Sequence, residues 1–316
     1  MFLFCRIRTV ALATCLPVFS FAFSGISDAA KQDELLAHKT ATSLKVMSFN
    51  IRNSNAPDGE NAWPRRKEWA MGILREAKID IAGLQEVTGL QRGDIAKLLP
   101  EYEIYGITRD PDNANGESTS VLFYRDRFKL LDKGTFWLSE TPDKADLRGW
   151  DAACRRTVTW IKLQEKKTDD VFFFFNTHFD HRGVKARAES AWLLRRKIPQ
   201  IAGDLPVILS GDFNTRPTSE PYRTLTAKPK EGAASQKGPD IQLFDTRLLT
   251  STPAKGPDSS CFGFRKSLTG SRIDFIFISE GIKVQNFTID DQTREGRFPS
   301  DHLPVWSTIE LPRRKR

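Results

Sequence analysis

Two stretches decide how this chain is read. One is Leu205-Pro206-Val207-Ile208-Leu209 followed by Ser210-Gly211-Asp212-Phe213-Asn214; the other is Ser300-Asp301-His302-Leu303-Pro304-Val305, followed by Trp306. The first run is short, continuous and β-branched, the pattern of a strand buried on both faces. Asp212 and Asn214 therefore stand at the rim of a core, just past a strand's end. The second motif has the opposite order, with Asp301 and His302 leading into the apolar residues, where the chain enters a strand. Gly-Asp and Ser-Asp are also common turn dipeptides, so either motif alone reads equally as an ordinary turn. Taken together, they supply a set of residues able to hold a metal ion and a water around one phosphate.

Other segments have the same form. Val46-Met47-Ser48-Phe49-Asn50-Ile51-Arg52 is a strand-like run carrying an amide, and Ile79-Asp80-Ile81-Ala82-Gly83-Leu84-Gln85-Glu86 ends in a carboxylate. Val171 to Phe175 is an apolar run followed by Asn176-Thr177-His178-Phe179-Asp180-His181. Each places a ligand for hard cations or phosphate oxygens at the end of a buried strand. Arg272-Ile273-Asp274-Phe275-Ile276-Phe277-Ile278 puts an Asp at the start of an apolar run, where an unpaired charge is costly. A histidine would serve as its partner.

In this order, the segments resemble the endonuclease/exonuclease/phosphatase superfamily, the DNase I-like metal-dependent phosphoesterases, over about residues 44 to 312. The signature is Phe-Asn, Gln-Glu, Asn-x-His, Gly-Asp-Phe-Asn, an Asp before an aromatic strand, and Ser-Asp-His-x-Pro-Val, and every piece is present. Gly134 to Ser139, Gly149-Trp150-Asp151 and Arg156 to Trp160 resemble a bacterial branch that lies closer to the nocturnin and carbon-catabolite-repressor deadenylases than to DNase I. The fold implied is α/β, two mixed β-sheets packed face to face with helices outside.

The resemblance also implies roles. Glu86, with Asn50 beside it and Asp301 completing the metal end, would bind Mg²⁺, which favours oxygen ligands and keeps several waters; Mn²⁺ would substitute. Asp212 would hold or deprotonate the attacking water, and Asn214 would orient it. His302 would contact the phosphate, held by Asp274 through its other ring nitrogen. His178 would reach a non-bridging oxygen or assist the leaving group, and Arg156 would add a positive fork.

Plainer readings stand beside these. Glu86 could cap a helix entered through Val87-Thr88. His178 and His181 suggest zinc only weakly, since no cysteine or further histidine lies at ligand spacing; His181 reads as a loop residue. The DNase branches usually carry an acid two residues after the Asn, where this chain has Arg52. That guanidinium favours a strongly anionic substrate group, or else belongs to the surface of the following loop.

The N-terminus bears on the compartment. Met1 to Arg8 carries two arginines and no acid, and Thr9 to Phe23 is almost wholly apolar. That is the order of a secretory signal, and the run is shorter than a membrane span. Residues 1–29 are read as a signal peptide, 30–43 as a polar linker, 44–312 as one domain and 313–316 as a basic tail. The protein is expected outside the cytoplasm, secreted or periplasmic, as a monomer without a transmembrane segment after cleavage. Cys154 and Cys261 remain after the leader and could pair in an oxidising compartment.

Periodicity predicts a helix from Trp63, with Pro64 in its first turn and Trp69, Ile73 and Ala77 on one face. A second runs over Val184 to Ile201, with Ala188, Ala191, Leu194, Ile198 and Ile201 inside, basic residues outside, and Pro199 distorting its last turn. Strands are expected near 118–124, 129–138, 155–164, 171–178, 206–211, 273–279, 283–290 and 304–311, with loops at Asp143 to Asp151 and Lys228 to Asp240. The net charge of +8 invites a nucleic-acid partner, but part of it sits in the leader and in Arg313 to Arg316. Phe136-Trp137 and Trp150 read as a stacking platform or as core. The function expected is a secreted Mg²⁺-dependent phosphodiesterase or phosphatase acting on a sugar, lipid-headgroup or nucleotide phosphate. A nuclease and an inactive binding module of the same fold are the alternatives.

Overall fold

In the computed structural model, residues 41–313 are described, apart from 146, 230–238, 266 and 268. The expected leader, most of the linker, the middle of the Lys228 to Asp240 loop and all but the first residue of the basic tail lie outside the described residues.

The run Val171–His178 (β7) illustrates how the layers form. Alternate side chains of a strand point to opposite faces. Phe172 and Phe174 enter one core while Phe173 and Phe175 enter another. The strand Val207–Asp212 (β8) and the strand Asp274–Ile278 (β10) do the same: Ile208, Ile276 and Ile278 face the first core, and Val207, Leu209, Phe275 and Phe277 face the second. The first core lies between two sheets. The second lies under the helix Val184–Ala202 (α3) and the short helix Glu220–Thr226 (α4).

The partner sheet is built alike. Ser43–Asn50 (β1) sends Leu44 and Val46 into the shared core, while Met47 and Phe49 meet the helices Trp63–Glu76 (α1) and Gly89–Leu98 (α2). The remaining strands are Ile81–Val87 (β2), Tyr102–Tyr105 (β3), Ser118–Tyr124 (β4), Phe128–Trp137 (β5), Thr157–Glu165 (β6), Phe244–Asp245 (β9), Lys283–Ile289 (β11) and Val305–Glu310 (β12). One six-stranded sheet has the order β11-β12-β1-β2-β4-β3 and the other β5-β6-β7-β8-β10-β9. Both are mixed, because β1 pairs parallel with β2 and β7 with β8. Parallel neighbours need a crossover, which α1 and α3 supply. The result is a helix–sheet–sheet–helix sandwich, the α/β arrangement expected.

Several local expectations need correction. Helix α1 buries Trp63, Ala70, Met71, Ile73 and Leu74, whereas Trp69 and Ala77 only border that core, so its inner face is turned from the one expected. Helix α3 keeps its basic residues outside except one: Arg195 is buried, held by both carboxylate oxygens of Asp240 at 2.6 and 2.7 Å and by the carbonyls of Thr224 and Ala227. Thr88 caps α2 through a reciprocal box with Gln91, so the capping role considered for Glu86 falls to a neighbour. Cys154 and Cys261 are both free thiols. Of the two readings of Phe136 and Trp137 the core one holds, and Trp137 donates its indole N–H to the Arg109 carbonyl at 3.0 Å.

Candidate active site at the strand ends

The two parallel pairs bring chemistry to one rim. Asn50 is level with Gln85 at the ends of β1 and β2, and His178 is level with Asp212 at the ends of β7 and β8. Asp274, opening the antiparallel β10, is also opposite Asp212. His302 lies just before β12, which pairs with β1. Thus Asn50, Glu86, His178, Asp212, Asn214, Asp274, Asp301 and His302 come from both sheets to one place, with Arg156 and Arg52 at its sides.

Asn50 is the bridge between the sheets. Its Nδ2 donates to Glu86 Oε1 and to Asp212 Oδ2, each at 3.0 Å, and its Oδ1 accepts from the Arg52 backbone N–H at 3.0 Å. Its Nδ2 thus holds two carboxylates in place, while its Oδ1 keeps a second lone pair beyond the one that Arg52 uses. Glu86 Oε2 accepts from both the backbone N–H and Nδ2 of Asn53 at 2.9 Å. Burial works to raise the Glu86 pKa, but these hydrogen bonds prevail and hold it below the usual value. Arg52, Glu86 and Asn214 all adopt left-handed backbone, with φ of 55, 63 and 47°. Non-glycine residues held there at three strand ends carry local strain of the kind found at functional sites.

Asp212 is fully enclosed. Burial and the neighbouring Asp274 carboxylate push its carboxyl up to about 7, against the attraction of His302 and hydrogen bonds from Asn214 and Asn50. Its Oδ1 accepts the Asn214 N–H at 2.9 Å; His178 Nε2 lies 3.4 Å and His302 Nε2 3.8 Å from Oδ2. Asn214 Nδ2 reaches His178 Nε2 at 3.1 Å and the Phe179 carbonyl at 3.0 Å. Burial, then the charges of Arg156 and Arg109, hold His178 well below its ordinary pKa, so it stays neutral and accepts at Nε2.

His302 is the opposite case. Burial works to lower its pKa, but Asp274 and Asp212 raise it well above the ordinary value. Its Nδ1 meets Asp274 Oδ2 at 2.9 Å, the pairing expected from sequence, and Ser260 Oγ donates to the same oxygen at 2.6 Å. Asp274 Oδ1 is buried without a partner among the described residues. Asp212, Asp274 and His302 offer ligand atoms all within 4.8 Å of one another. Asp301 is pushed up by burial and by the charge of Glu86, though His302 and Arg52 oppose this.

The arginines divide. Arg52 is committed to Asp58 through Nε at 3.0 Å and Nη2 at 3.1 Å, with Asp301 3.7 Å from Nη1. Arg156 spends Nε on Asp180 and Nη2 on His181 Nδ1, and leaves Nη1 buried without a hydrogen-bond partner among the described residues. It lines a narrow crevice with Glu86, Arg109, Glu117 and His178.

Sequence reading missed several residues here. Glu117, raised by burial, pairs with Arg109 at 2.9 Å, yet both sit in a turn-rich stretch with no motif. Arg66 donates to the carbonyls of Ile51, Arg52, Asn61 and Pro299 and so ties the chain after β1 to the segment carrying Asp301 and His302. Burial pushes its guanidinium down to about 10. Only its position on the buried side of α1, one turn past Trp63, would have flagged it. Cys154 joins Asp180 and His181, a cysteine brought by folding where spacing offered none. Asp180 already accepts from the backbone of Arg182, Gly183 and Cys154 and from Arg156, leaving little for a metal.

The same architecture occurs in solved structures. An endonuclease/exonuclease/phosphatase from Bacteroides vulgatus is 34% identical with a TM-score of 0.78, over 85% of this chain and 99% of that one. A mannosyl-6-phosphatase from Bacteroides thetaiotaomicron is 33% identical with a TM-score of 0.75, over 85% of this chain and 100% of its own. Nocturnin of Drosophila melanogaster is 24% identical over 287 residues, 81% of this chain but 43% of nocturnin, so this chain spans less than half of that relative. The pattern of the Endonuclease/Exonuclease/phosphatase family matches residues 47–302, from within β1 through His302, and the chain belongs to that family.

Proposed function

We propose that this protein is a divalent-metal-dependent phosphoesterase that hydrolyses a small phosphate ester by attack of a water held at Asp212. The observation that carries this reading is the pairing of opposite protonation tendencies in one buried cluster. Asp212, near 7, can take a proton at neutral pH, while His302, held cationic by Asp274, can pair with phosphate oxygens. As water adds to phosphorus the water's proton goes to Asp212, and the ester P–O bond breaks with its electron pair leaving on the ester oxygen, which takes a proton from solvent. Asn214 and neutral His178 orient the water and phosphate, and the free Nη1 of Arg156 supplies a donor to a non-bridging oxygen.

The residues fit a hard cation. Glu86, Asp212, Asp274 and Asp301 gather four carboxylates at one rim, and Asp212 and Asp301 are pushed up first by burial and then by a neighbouring carboxylate, Asp274 and Glu86 respectively. An all-oxygen set of this kind suits Mg²⁺ or Mn²⁺, with Glu86 and Asp301 as the holding pair. When bound, the ion would neutralise charge developing on the phosphate. Substrate scope is supported by the mannosyl-6-phosphatase among the similar structures, whose name points to a phosphomonoester. The apolar leader supports export.

The test is hydrolysis of aryl phosphates, bis-aryl phosphates, sugar phosphates, RNA and DNA with Mg²⁺, Mn²⁺ or excess EDTA. Metal-dependent turnover of a small ester is the expected result. Undiminished turnover in EDTA, or turnover confined to polynucleotides, contradicts the reading.

A further inference from the structure

Beside the phosphate crevice lies a second, open cavity of about 770 Å³, bordered by Asp110, Arg148, Trp150, Asp151, Cys154 and Arg155. The two depressions are lined by consecutive residues of the same segments. Arg109 and Arg156 line the crevice while their chain neighbours Asp110 and Arg155 line the cavity. A group esterified to a phosphate held at Arg156 would extend past Asp110 and Arg155 toward this cavity.

The cavity wall is pre-set. The Trp150 N–H donates to both carboxylate oxygens of Glu140, at 3.2 and 3.1 Å, and its backbone is left-handed, with φ of 50°. Next to it, the Asp151 carboxylate accepts from the backbone N–H groups of Lys185 and Ala186 in the first turn of α3. Gly183 permits that approach, since a Cβ there would lie 2.6 Å from Asp151 Oδ1. Half-buried Trp150 also borders the core under α3.

The charge on the wall is balanced. Arg155 Nη1 meets Asp110 Oδ1 at 3.1 Å, Arg148 Nη1 donates to the Ala153 carbonyl at 3.3 Å, and Asp110 and Asp151 match the two arginines in number. The next phosphate of a polynucleotide would find no surplus positive charge here. An aliphatic tail would have to desolvate four charged groups. An aromatic surface beside planar, paired acids and guanidinium groups instead suits a ring with C–H faces and adjacent hydroxyls, which accept and donate in pairs.

Resting on the phosphoesterase reading above, we propose that this cavity is the leaving-group subsite and that it takes an uncharged polyhydroxyl ring, a hexose or glycoside carrying the phosphate. The experiment uses the full chain with Asp212→Asn, so that turnover is stopped, in Mg²⁺. It is titrated calorimetrically with inorganic phosphate, a hexose 6-phosphate and a 5′-phosphorylated trinucleotide. The hexose 6-phosphate should bind at least about tenfold tighter than phosphate, roughly 1.4 kcal/mol, and the trinucleotide should gain less. Adding Trp150→Ala should narrow the hexose gain to under about threefold, a partial loss suited to one wall of a subsite. Asp110→Asn, which keeps side-chain size on the other wall, should narrow it too and guards against misfolding of the Trp150 variant. Phosphate binding with no gain from the hexose, a larger gain from the trinucleotide, or a gain that neither substitution reduces overturns the subsite while leaving the phosphoesterase reading intact. Failure of all three anions to bind sinks both.

Discussion

At the scale of single residues, the site is defined by carboxyl groups whose surroundings pull them apart. Asp212 is raised to about 7, so the folded state keeps its proton after the unfolded chain, at 3.8, has lost it. Folding therefore takes up a proton in between, and this contribution is fully present below the unfolded value and lost as pH rises through about 7. In EDTA, Asp212→Asn should melt about 2 to 6 °C above the parent at about pH 8, the gap closing toward pH 4, while activity measured with metal falls. A calorimetric series across pH checks this, and a variant less stable at pH 8 contradicts it. Glu86 is the strongly placed metal carboxylate in the proposed mechanism, so Glu86→Gln should lower kcat/KM by at least about 10²-fold with the fold intact by circular dichroism. The contact between His302 and Asp274 implies a third outcome. Either single replacement should cost about as much as both together, because groups acting as a unit are not additive; multiplicative losses in a double-mutant cycle would mean that they act separately.

At the scale of elements, what positions the site is the close approach of β2 to β7 and β8. Gly83 has no side chain where Asn176 and Ser210 cross from the other sheet: a Cβ would lie 2.1 Å from Ser210 Oγ and 2.6 Å from Asn176 Oδ1. Gln85 Nε2 donates to Asn176 Oδ1 across the same junction at 2.7 Å. Gly83→Ala should cost about 1 to 3 kcal/mol by overpacking, read as a lowered midpoint in urea, and Ser210→Ala in that background should recover part of the loss. No recovery would mean that the strain falls on the backbone instead. The strands themselves were legible, since a run such as Val171 to Phe175 has few alternatives to a doubly buried strand. Helix α1 was less so, because its apolar residues admit two overlapping faces and only contact with β1 and β2 selects one.

Across the whole molecule, several arginines are held by carboxylates of the fold itself. Arg127 pairs with Asp80, Arg156 with Asp180, Arg195 with Asp240, and Arg272 with Asp245. Arginines held this way are not available to a polyanion. The kcat/KM on a small phosphate ester should therefore depend only shallowly on salt, whereas a single-strand binder adds about 0.7 to the log–log slope for each phosphate neutralised. Matched short and long substrates across a salt series decide it. A steep slope with preference for the long polymer would make the protein a nuclease.

The sequence by itself determined every strand but the short edge strands β3 and β9, and the polar residues at the strand ends, because strand periodicity and the cost of a buried charge act locally along the chain. It also made the Asp274–His302 contact legible, since a lone Asp opening an apolar strand needs a partner. Only the tertiary structure decided which groups share a proton, a charge or a wall. Asn50 lies between Glu86 and Asp212 because two sheets meet there, Arg52 turns to Asp58, and Arg66 clamps four carbonyls from segments distant in the chain. The left-handed backbone of Arg52, Glu86 and Asn214, and the cavity around Trp150, were likewise out of reach, because strain and enclosure depend on what packs from the other side.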